Sequence, residues 1–225
     1  MKSEKFKKWE TFANTKEKYP KWPNETMLKV FFGDYLNNRI KLKNNMRILD
    51  VGCGFGNNLR PFLELGYDCA GTEVTEEMAD ITQKILDKSG YKTTIRNGYN
   101  TSLPFEDKSF DILLSVNVIH YETSLDEITK AFEEYSRVLR KGGYLFLSTV
   151  GETHDIKQKA TLIENHLYEI NDFDFRDGTK MFFFDTDKYL EFLLKEKFMN
   201  IEIGNVKERL MKCPLEFMIA VAQNK

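Results

Sequence analysis

The chain has 225 residues, of which 41% are hydrophobic and 30% charged, and its formal net charge is −2. These values suit one soluble α/β domain with additions, and the near-neutral charge gives no general attraction to nucleic acid or an anionic membrane. Three cysteines without metal-ligand spacing predict a reduced, cytoplasmic protein. The Lys-rich start is followed by no apolar run, which predicts neither a signal peptide nor a membrane span.

The first 45 residues are predicted to be helical and are unusually aromatic. Pro20 and Pro23 divide the region, because proline ends helices. So many aromatic side chains need a surface to cover, and we expect residues 1–45 to be a helical lid rather than a separate domain. The aromatic residues are Trp9, Phe12, Tyr19, Trp22, Phe31, Phe32 and Tyr35.

From Met46 onward, strand-like and helix-like segments alternate. Strands are predicted at 46–52, 67–74, 91–98, 110–119 and 143–150. Helices are predicted at 57–66, 75–90 and 124–143, the last one ended by Gly142 and Gly143. Five strands separated by such segments indicate a parallel, doubly wound sheet with right-handed crossovers.

The order of elements changes after Val150. Residues 151–180 form a long connection, predicted to be a substrate-side insertion, and His166 falls in a helical run at 159–170. A helix follows at 187–198, and then two strand-like runs, 200–210 and 215–223. These runs are too close together for a helical crossover, so we expect an antiparallel pair at the edge of a seven-stranded sheet.

The stretch "ILDVGCGFGNN", residues 48–58, places three glycines at alternate positions after an apolar run and an acid. In an open α/β sheet, ligands bind beyond the carboxyl ends of the strands. Glycine allows positive φ and a ligand lying against bare backbone, and the helix that follows offers free N–H groups. The spacing GxGxG differs from the dinucleotide fingerprint GxGxxG, which disfavours a nicotinamide-dependent dehydrogenase.

An acid at the end of the second strand reduces the number of ligand classes that fit the site. Glu73 lies 17 positions after Gly56, where a carboxylate accepts both hydroxyls of a ribose. A ligand with a ribose, no pyrophosphate, and an ammonium beside an acid and bare glycines is S-adenosylmethionine. Asp50 would then face its amino group.

Four segments together resemble a known family. "ILDVGCGFG", "GTEVTEEM", "LPFEDKSFDILLSVNVIHY" and "EEYSRVLRKGGYLFLST" are similar to the successive motifs of class I S-adenosylmethionine-dependent methyltransferases. The small-molecule type that includes the ubiquinone and menaquinone methyltransferases resembles this chain most. The resemblance covers about residues 46–150 and implies a Rossmann-like fold with S-adenosylmethionine as cofactor.

The resemblance also implies roles for residues at the matching positions. The cofactor-binding set it implies is Asp50, Gly52, Gly54, Gly56, Glu73, Val74 and Asn117. One place departs from the family, which often carries Asp and a small residue before "LPF" to contact the adenine amine. Tyr99 and Asn100 stand there in this chain, and either the Asn100 oxygen or a backbone amide is expected to take over that contact.

His120 follows the fourth strand, on the side where a methyl acceptor would sit. A neutral imidazole there would be a general base, and a packed residue shaping the loop is the alternative. His154 and His166 are expected to be solvated or packed, and the spacing of potential ligands predicts no metal site.

The sequence therefore predicts methyl transfer to an O or N atom of a small-molecule metabolite. Nucleic-acid amino methyltransferases carry a Pro-Pro motif after the fourth strand, where this chain reads "SVNVIHY", so no nucleic-acid partner is expected. A catalytically silent S-adenosylmethionine-binding regulatory protein is the alternative, and the oligomeric state stays open.

Overall fold

The structure is a computed structural model that describes residues 7–11, 14 and 22–225. The strands are β1 Arg47–Val51, β2 Asp68–Glu73, β3 Thr94–Asn97, β4 Phe110–Val116, β5 Leu139–Val150, β6 Ala160–Glu164, β7 Leu167–Ile170, β8 Lys180–Phe182, β9 Phe198–Leu210 and β10 Cys213–Asn224. The helices are α1 Glu25–Phe32, α2 Arg60–Glu64, α3 Glu76–Lys88, α4 Leu125–Val138, α5 Asp155–Gln158 and α6 Asp187–Leu194. Residues 7–11 and 14 are also helical, and 3₁₀ turns cover Ile119–Tyr121 and Asp174–Arg176.

A seven-stranded sheet with the order β3-β2-β1-β4-β5-β10-β9 forms the centre of the fold. Strands β1 to β5 pair in parallel, and β10 pairs antiparallel with both β5 and β9. The predicted doubly wound, mostly parallel sheet with an antiparallel edge pair is therefore confirmed.

The register brings three strand ends to one level. Val51, the last residue of β1, pairs with Thr72 on β2 and with Ser115 on β4. The segments that follow these strands therefore begin side by side, at the edge where ligands bind in such sheets.

Helices cover both faces of the sheet with apolar side chains. On one face α4 contributes Ile128, Phe132 and Tyr135 to the core, together with apolar residues of α6. On the other face α1 buries Met27 and Phe31 beside residues of α2 and α3. The sheet is thereby held between two apolar layers, as parallel sheets require.

The position of α1 bears on the predicted lid. Phe31 is 2% exposed and packs against Phe62 and Phe146, with ring centroids 5.4 and 5.9 Å away. This helix therefore belongs to the sheet-covering layer, whereas Trp22 and Tyr35 are exposed. Phe12 and Tyr19 lie outside the described residues, and the lid stays a prediction for the segment around Trp9.

The predicted helix at 124–143 is too long. It ends at Val138, because Leu139 adopts an extended conformation, is fully buried and pairs with Phe110 on β4. Gly142 instead lies within β5 at φ +75°. Tertiary pairing with β4 ends the helix before the two glycines do.

The helical run predicted at 159–170 is wrong as well. Residues 160–182 form an antiparallel three-stranded sheet in the order β6-β7-β8. Asn165 and His166 make the β6–β7 turn with φ values of +23° and +67°.

Among the residues that the structure describes, no helix is long and apolar enough to cross a membrane.

Candidate active site

A cavity of about 280 Å³ lies beyond the carboxyl ends of β1 to β4. It is lined by the first glycines of the β1 turn, by the residues after β2, β3 and β4, and by one aromatic side chain from the N-terminal helical segment. The lining includes Trp9, Gly52, Gly54, Glu73, Val74, Met78, Tyr99, Asn100, Asn117, Tyr121 and Glu122.

The glycine turn has positive φ at all three glycines, +65° at Gly52, +57° at Gly54 and +73° at Gly56. A Cβ on Gly54 would meet nothing within 4 Å, whereas one on Gly52 would lie 2.6 Å from Val118 Cγ1. A Cβ on Gly56 would lie 2.8 Å from Leu86 Cδ1. Gly54 therefore leaves space for a ligand, and Gly56, which is absent from the described lining, makes room for α3.

Cys53, between the first two glycines, is directed away from the cavity. It is 5% exposed, and a Cβ on Gly71 of β2 would lie 2.7 Å from its Sγ. Burial, followed by the nearby Glu73 and Asp50 carboxylates, raises the pKa of the Cys53 thiol well above its usual value. This residue anchors the turn to β2 as a small buried side chain.

Glu73 connects the end of β2 to the glycine turn. Its Oε1 accepts the Gly54 N–H at 2.5 Å and its Oε2 accepts the Val74 N–H at 3.2 Å. Burial raises the pKa of Glu73 to about 7, although the two backbone bonds act in the opposite direction. Because a carboxylate has about four acceptor sites, both oxygens still have room for a ribose hydroxyl.

Asp50 lies within β1, fully buried behind the turn. Neither carboxylate oxygen makes a hydrogen bond of standard geometry with the described residues, and the Asn58 side chain is a weaker polar neighbour of the carboxylate. Burial and the Glu73 charge raise the pKa of Asp50 well above its usual value, while the Asn58 side chain acts in the opposite direction. A buried carboxylate without a strong partner is costly, and an ammonium group nearby would stabilise it.

Asn117 closes the end of β4 in the left-handed conformation, at φ +57°. Its backbone N–H donates to the Ser148 carbonyl and its Oδ1 accepts from Ser148 Oγ, both at 2.9 Å. These bonds to β5 fix the backbone of Asn117 where it lines the cavity.

Glu122 is a lining residue that the sequence reasoning missed. The Asn100 Nδ2 group donates to Glu122 Oε1 at 2.9 Å, and the Tyr135 hydroxyl donates to Asn100 Oδ1 at 2.6 Å. The expected acceptor, the Asn100 oxygen, is thus already engaged by Tyr135. Because the Asn100–Glu122 contact joins residues 22 positions apart, no local motif marks it.

Two aromatic rings, Trp9 and Tyr121, line the cavity next to Phe175. The Trp9 ring lies 5.4 Å from that of Tyr121 and 4.8 Å from that of Phe175, both edge-to-face. Burial raises the pKa of Tyr121 to about 12, against the influence of Arg176. Arg176 also pairs with Asp174 at 2.6 Å.

His120 lies behind Tyr121, is 4% exposed, and is absent from the described lining. Its Nδ1 is 3.1 Å from Thr149 Oγ1. Burial, then Arg176 and His154, lower the pKa of His120 to about 3. The imidazole is therefore neutral at pH 7 but a weak base, and only the tautomer with Nδ1–H donating to Thr149 leaves Nε2 able to take a proton.

The two other histidines have structural roles. His154 is buried rather than solvated, and its Nδ1 accepts the Ile156 N–H at 3.1 Å as the cap of α5. Burial and Arg176 lower the pKa of His154 to about 4, so its single proton sits on Nε2. His166 pairs with Asp185 at 2.8 Å and stacks on Tyr189.

The geometry fits S-adenosylmethionine. Gly54 offers bare backbone in open space, Glu73 offers acceptors for a ribose, and Asp50 offers a buried carboxylate whose oxygens make no standard hydrogen bond in the described part of the chain. Residues 49–147 match the family described as a methyltransferase domain, and the cavity geometry fits S-adenosylmethionine as its cofactor.

Known proteins with the same domain support this assignment. The chain is 30% identical to an uncharacterized methyltransferase, YcgJ of Bacillus subtilis, over 56% of this chain and 48% of the relative. It is 26% identical to a ubiquinone biosynthesis O-methyltransferase of Pelagibacter ubique, over 66% of this chain and 58% of the relative. The chain thus spans about half the length of these curated relatives.

A solved structure shows the same fold over most of the chain. The S-adenosylmethionine-dependent methyltransferase from Methanosarcina mazei superposes with a TM-score of 0.67 at 23% identity. The superposition covers 81% of this chain and 94% of that protein.

Proposed function

We propose that the protein transfers the methyl group of S-adenosylmethionine to an oxygen or nitrogen atom of a small-molecule metabolite. The observation that carries this proposal is the aromatic side of the cavity, where the Trp9 ring contacts the rings of Tyr121 and Phe175. Such aromatic rings suit a compact acceptor with a planar or apolar part.

Charge and relatives point in the same direction. The net charge of −2 gives no electrostatic footprint for a nucleic acid. A relative named as a ubiquinone biosynthesis O-methyltransferase matches two thirds of the chain, which favours oxygen as the acceptor atom. Another relative is named as a sterol 4-C-methyltransferase, so carbon is the competing acceptor atom.

When bound, the cofactor supplies a methyl group on a sulfonium, and the protein contributes position and exclusion of water. Glu73 would accept the ribose hydroxyls, and Asp50 would balance the ammonium group. Gly52 and Gly54 would lie along the methionine part, and the fixed backbone of Asn117 would border it. Val74 would pack on adenine.

The acceptor must lose a proton if it is a hydroxyl or an ammonium group. His120 is the histidine nearest to that side of the cavity, and we propose it as the group that takes the proton or positions the one that does. Its pKa of about 3 favours a positioning role through Thr149 and Tyr121. A neutral amine or a phenolate acceptor would need no base.

The test is methyl transfer from isotopically labelled S-adenosylmethionine to a panel of phenols, catechols, primary and secondary amines, and sterols. Labelled product from a phenol or an amine supports the proposal, and nuclear magnetic resonance of the product identifies the methylated atom. Transfer only to carbon would contradict it. Tight binding of S-adenosylhomocysteine without transfer to any acceptor would favour the silent regulatory protein.

We further propose that the segment around Trp9 is a lid on the domain 46–225, with the insertion 151–180 on the acceptor side. Lys8 Nζ bonds the Asp177 carbonyl, and Asn14 Nδ2 bonds Glu77 Oε1 at 2.7 Å. The segment thus contacts both the insertion and α3, and α3 contributes Met78 to the cavity lining. Protease cleavage within residues 1–21 should slow when S-adenosylhomocysteine is added, and equal cleavage with and without it would contradict the lid.

A further inference from the structure

We propose that Glu122 positions the cofactor by accepting a hydrogen bond from the amino group of its adenine. In sequences of this type that contact often falls to an acid four positions before the Leu of the "LPF" motif, where Tyr99 stands in this chain. A carboxylate from the loop after β4 would replace one from the loop after β3.

The order of the strands determines which end of the cavity would receive the adenine ring. Glu73 at the end of β2 would hold the ribose, and the glycine turn after β1 would hold the methionine part. Since the strand order is β3-β2-β1, the base must extend from the ribose away from β1, toward the end of β3. Gly98, Tyr99 and Asn100 line the cavity there.

Glu122 reaches this end although it follows β4. The 3₁₀ turn Ile119–Tyr121 reverses the chain, and Glu122 Oε1 then lies 2.9 Å from Asn100 Nδ2. Glu122 is 9% exposed and lines the cavity. Its carboxylate is therefore a buried acceptor at the base end, where hydrogen bonds are worth more than in water.

A chain of hydrogen bonds orients this carboxylate. Ser115 Oγ and the Tyr135 hydroxyl are 3.1 Å apart, and the Tyr135 hydroxyl donates to Asn100 Oδ1 at 2.6 Å. The Asn100 oxygen is thereby turned toward the core and its Nδ2 toward Glu122. Asn100 acts as a positioning residue, and Glu122 presents the acceptor lone pairs.

The experiment compares two ligands on each variant by calorimetry: S-adenosylhomocysteine and its 6-deamino analogue, in which hydrogen replaces the adenine amino group. The wild type should bind S-adenosylhomocysteine about tenfold or more tightly than the analogue. In Glu122→Gln this preference should fall to about twofold or less. Because Tyr135 donates to the Asn100 oxygen, Asn100 Nδ2 faces residue 122 and the oxygen of the new Gln must accept from it. The Gln amide nitrogen then faces the adenine amine, and two donors cannot form a hydrogen bond.

Glu127→Gln is the matched control, because Glu127 bonds the Thr123 N–H and hydroxyl at 2.8 and 2.9 Å and is absent from the described lining. It should keep the wild-type preference. If Glu122→Gln does not fold, Asn100→Ala replaces it, and the preference should fall there too.

A preference kept within twofold of wild type in Glu122→Gln, or no preference in the wild type, would overturn the assignment. The inference rests on the proposed function only for the identity of the cofactor. A wild type that binds neither ligand would instead overturn that function, so the two failures are distinguishable.

Discussion

The two sides of the cavity are built in different ways. The cofactor side consists of short segments that directly follow β1, β2 and β4, and the sheet register alone places Gly54, Glu73 and Asn117 together. The side that we propose for the acceptor brings Trp9, Tyr121 and Phe175 together from the N-terminal segment, the β4 loop and the insertion. Backbone geometry fixes the first side, whereas contacts between distant segments define the second.

This difference suggests that cofactor binding is rigid and acceptor recognition adaptable. Changes on the cofactor side should act on affinity for S-adenosylhomocysteine, and changes on the acceptor side should act on turnover. Measuring cofactor affinity and turnover separately in variants of each side tests this division.

Gly54→Val should have the largest effect, because a branched side chain at φ +57° is strained and would fill the space left for the ligand. We expect affinity for S-adenosylhomocysteine to fall by at least about 100-fold while the protein stays folded. Calorimetry and thermal unfolding measure both. Gly66→Val is the matched control, with φ +83° and open space outside the described lining, and retained binding by folded Gly54→Val would contradict the assignment.

Glu73→Ala should weaken S-adenosylhomocysteine binding by about 1.5–3 kcal/mol, since it removes charge-assisted hydrogen bonds to the ribose. It also removes the acceptor of the Gly54 N–H, so Glu73→Gln is measured beside it to keep the shape of the side chain. Affinity of Glu73→Ala within twofold of the wild type would rule out the ribose contact.

His120→Ala should lower kcat at least about tenfold with nearly unchanged cofactor affinity, because we propose that His120 acts on the methyl acceptor and not on the cofactor. With a pKa of about 3, His120 should add no step to the kcat profile between about pH 6 and 8, in contrast to an unperturbed histidine. His120→Asn separates the roles, since its amide can bond Thr149 but cannot take a proton. Recovery of kcat in His120→Asn would assign a positioning role.

The smallest expected effect is the pH dependence of cofactor affinity. The ribose hydroxyls favour ionised Glu73, whose pKa is about 7 without ligand, so binding below pH 7 must release a proton. Affinity should therefore rise with pH, by up to about tenfold between pH 6 and 8. Asp50 is shifted in the same direction, and a flatter profile in Glu73→Gln would isolate Glu73. An unchanged slope in that variant would contradict the linkage.

The cofactor side was predictable because its signals are local. An apolar run followed by glycines predicts a buried strand and a turn, and an acid at the next strand end predicts a ribose contact without knowledge of the partner. Three residues that the sequence predicts to bind the cofactor line the cavity: Gly54, Glu73 and Asn117. Their roles in binding stay predictions.

The errors arose where distant contacts decide the structure. Leu162, Ile163, Leu167 and Ile170 are spaced as on a helix, yet they belong to two strands joined by a turn at Asn165 and His166. Leu139 leaves α4 because β4 pairs with it. Glu122 was missed because its contact with Asn100 exists only after the loop folds back.

The burial of Cys53 inside the glycine turn makes its thiol a probe of local opening of that turn. Only an accessible thiolate is alkylated, and Cys53 is buried with a raised pKa, while Cys213 at the start of β10 is partly exposed. Cys213 should therefore react first, and Cys53 only when the turn detaches from β2. The lag between the two modifications would time the opening of the cavity, and a bound cofactor should lengthen it.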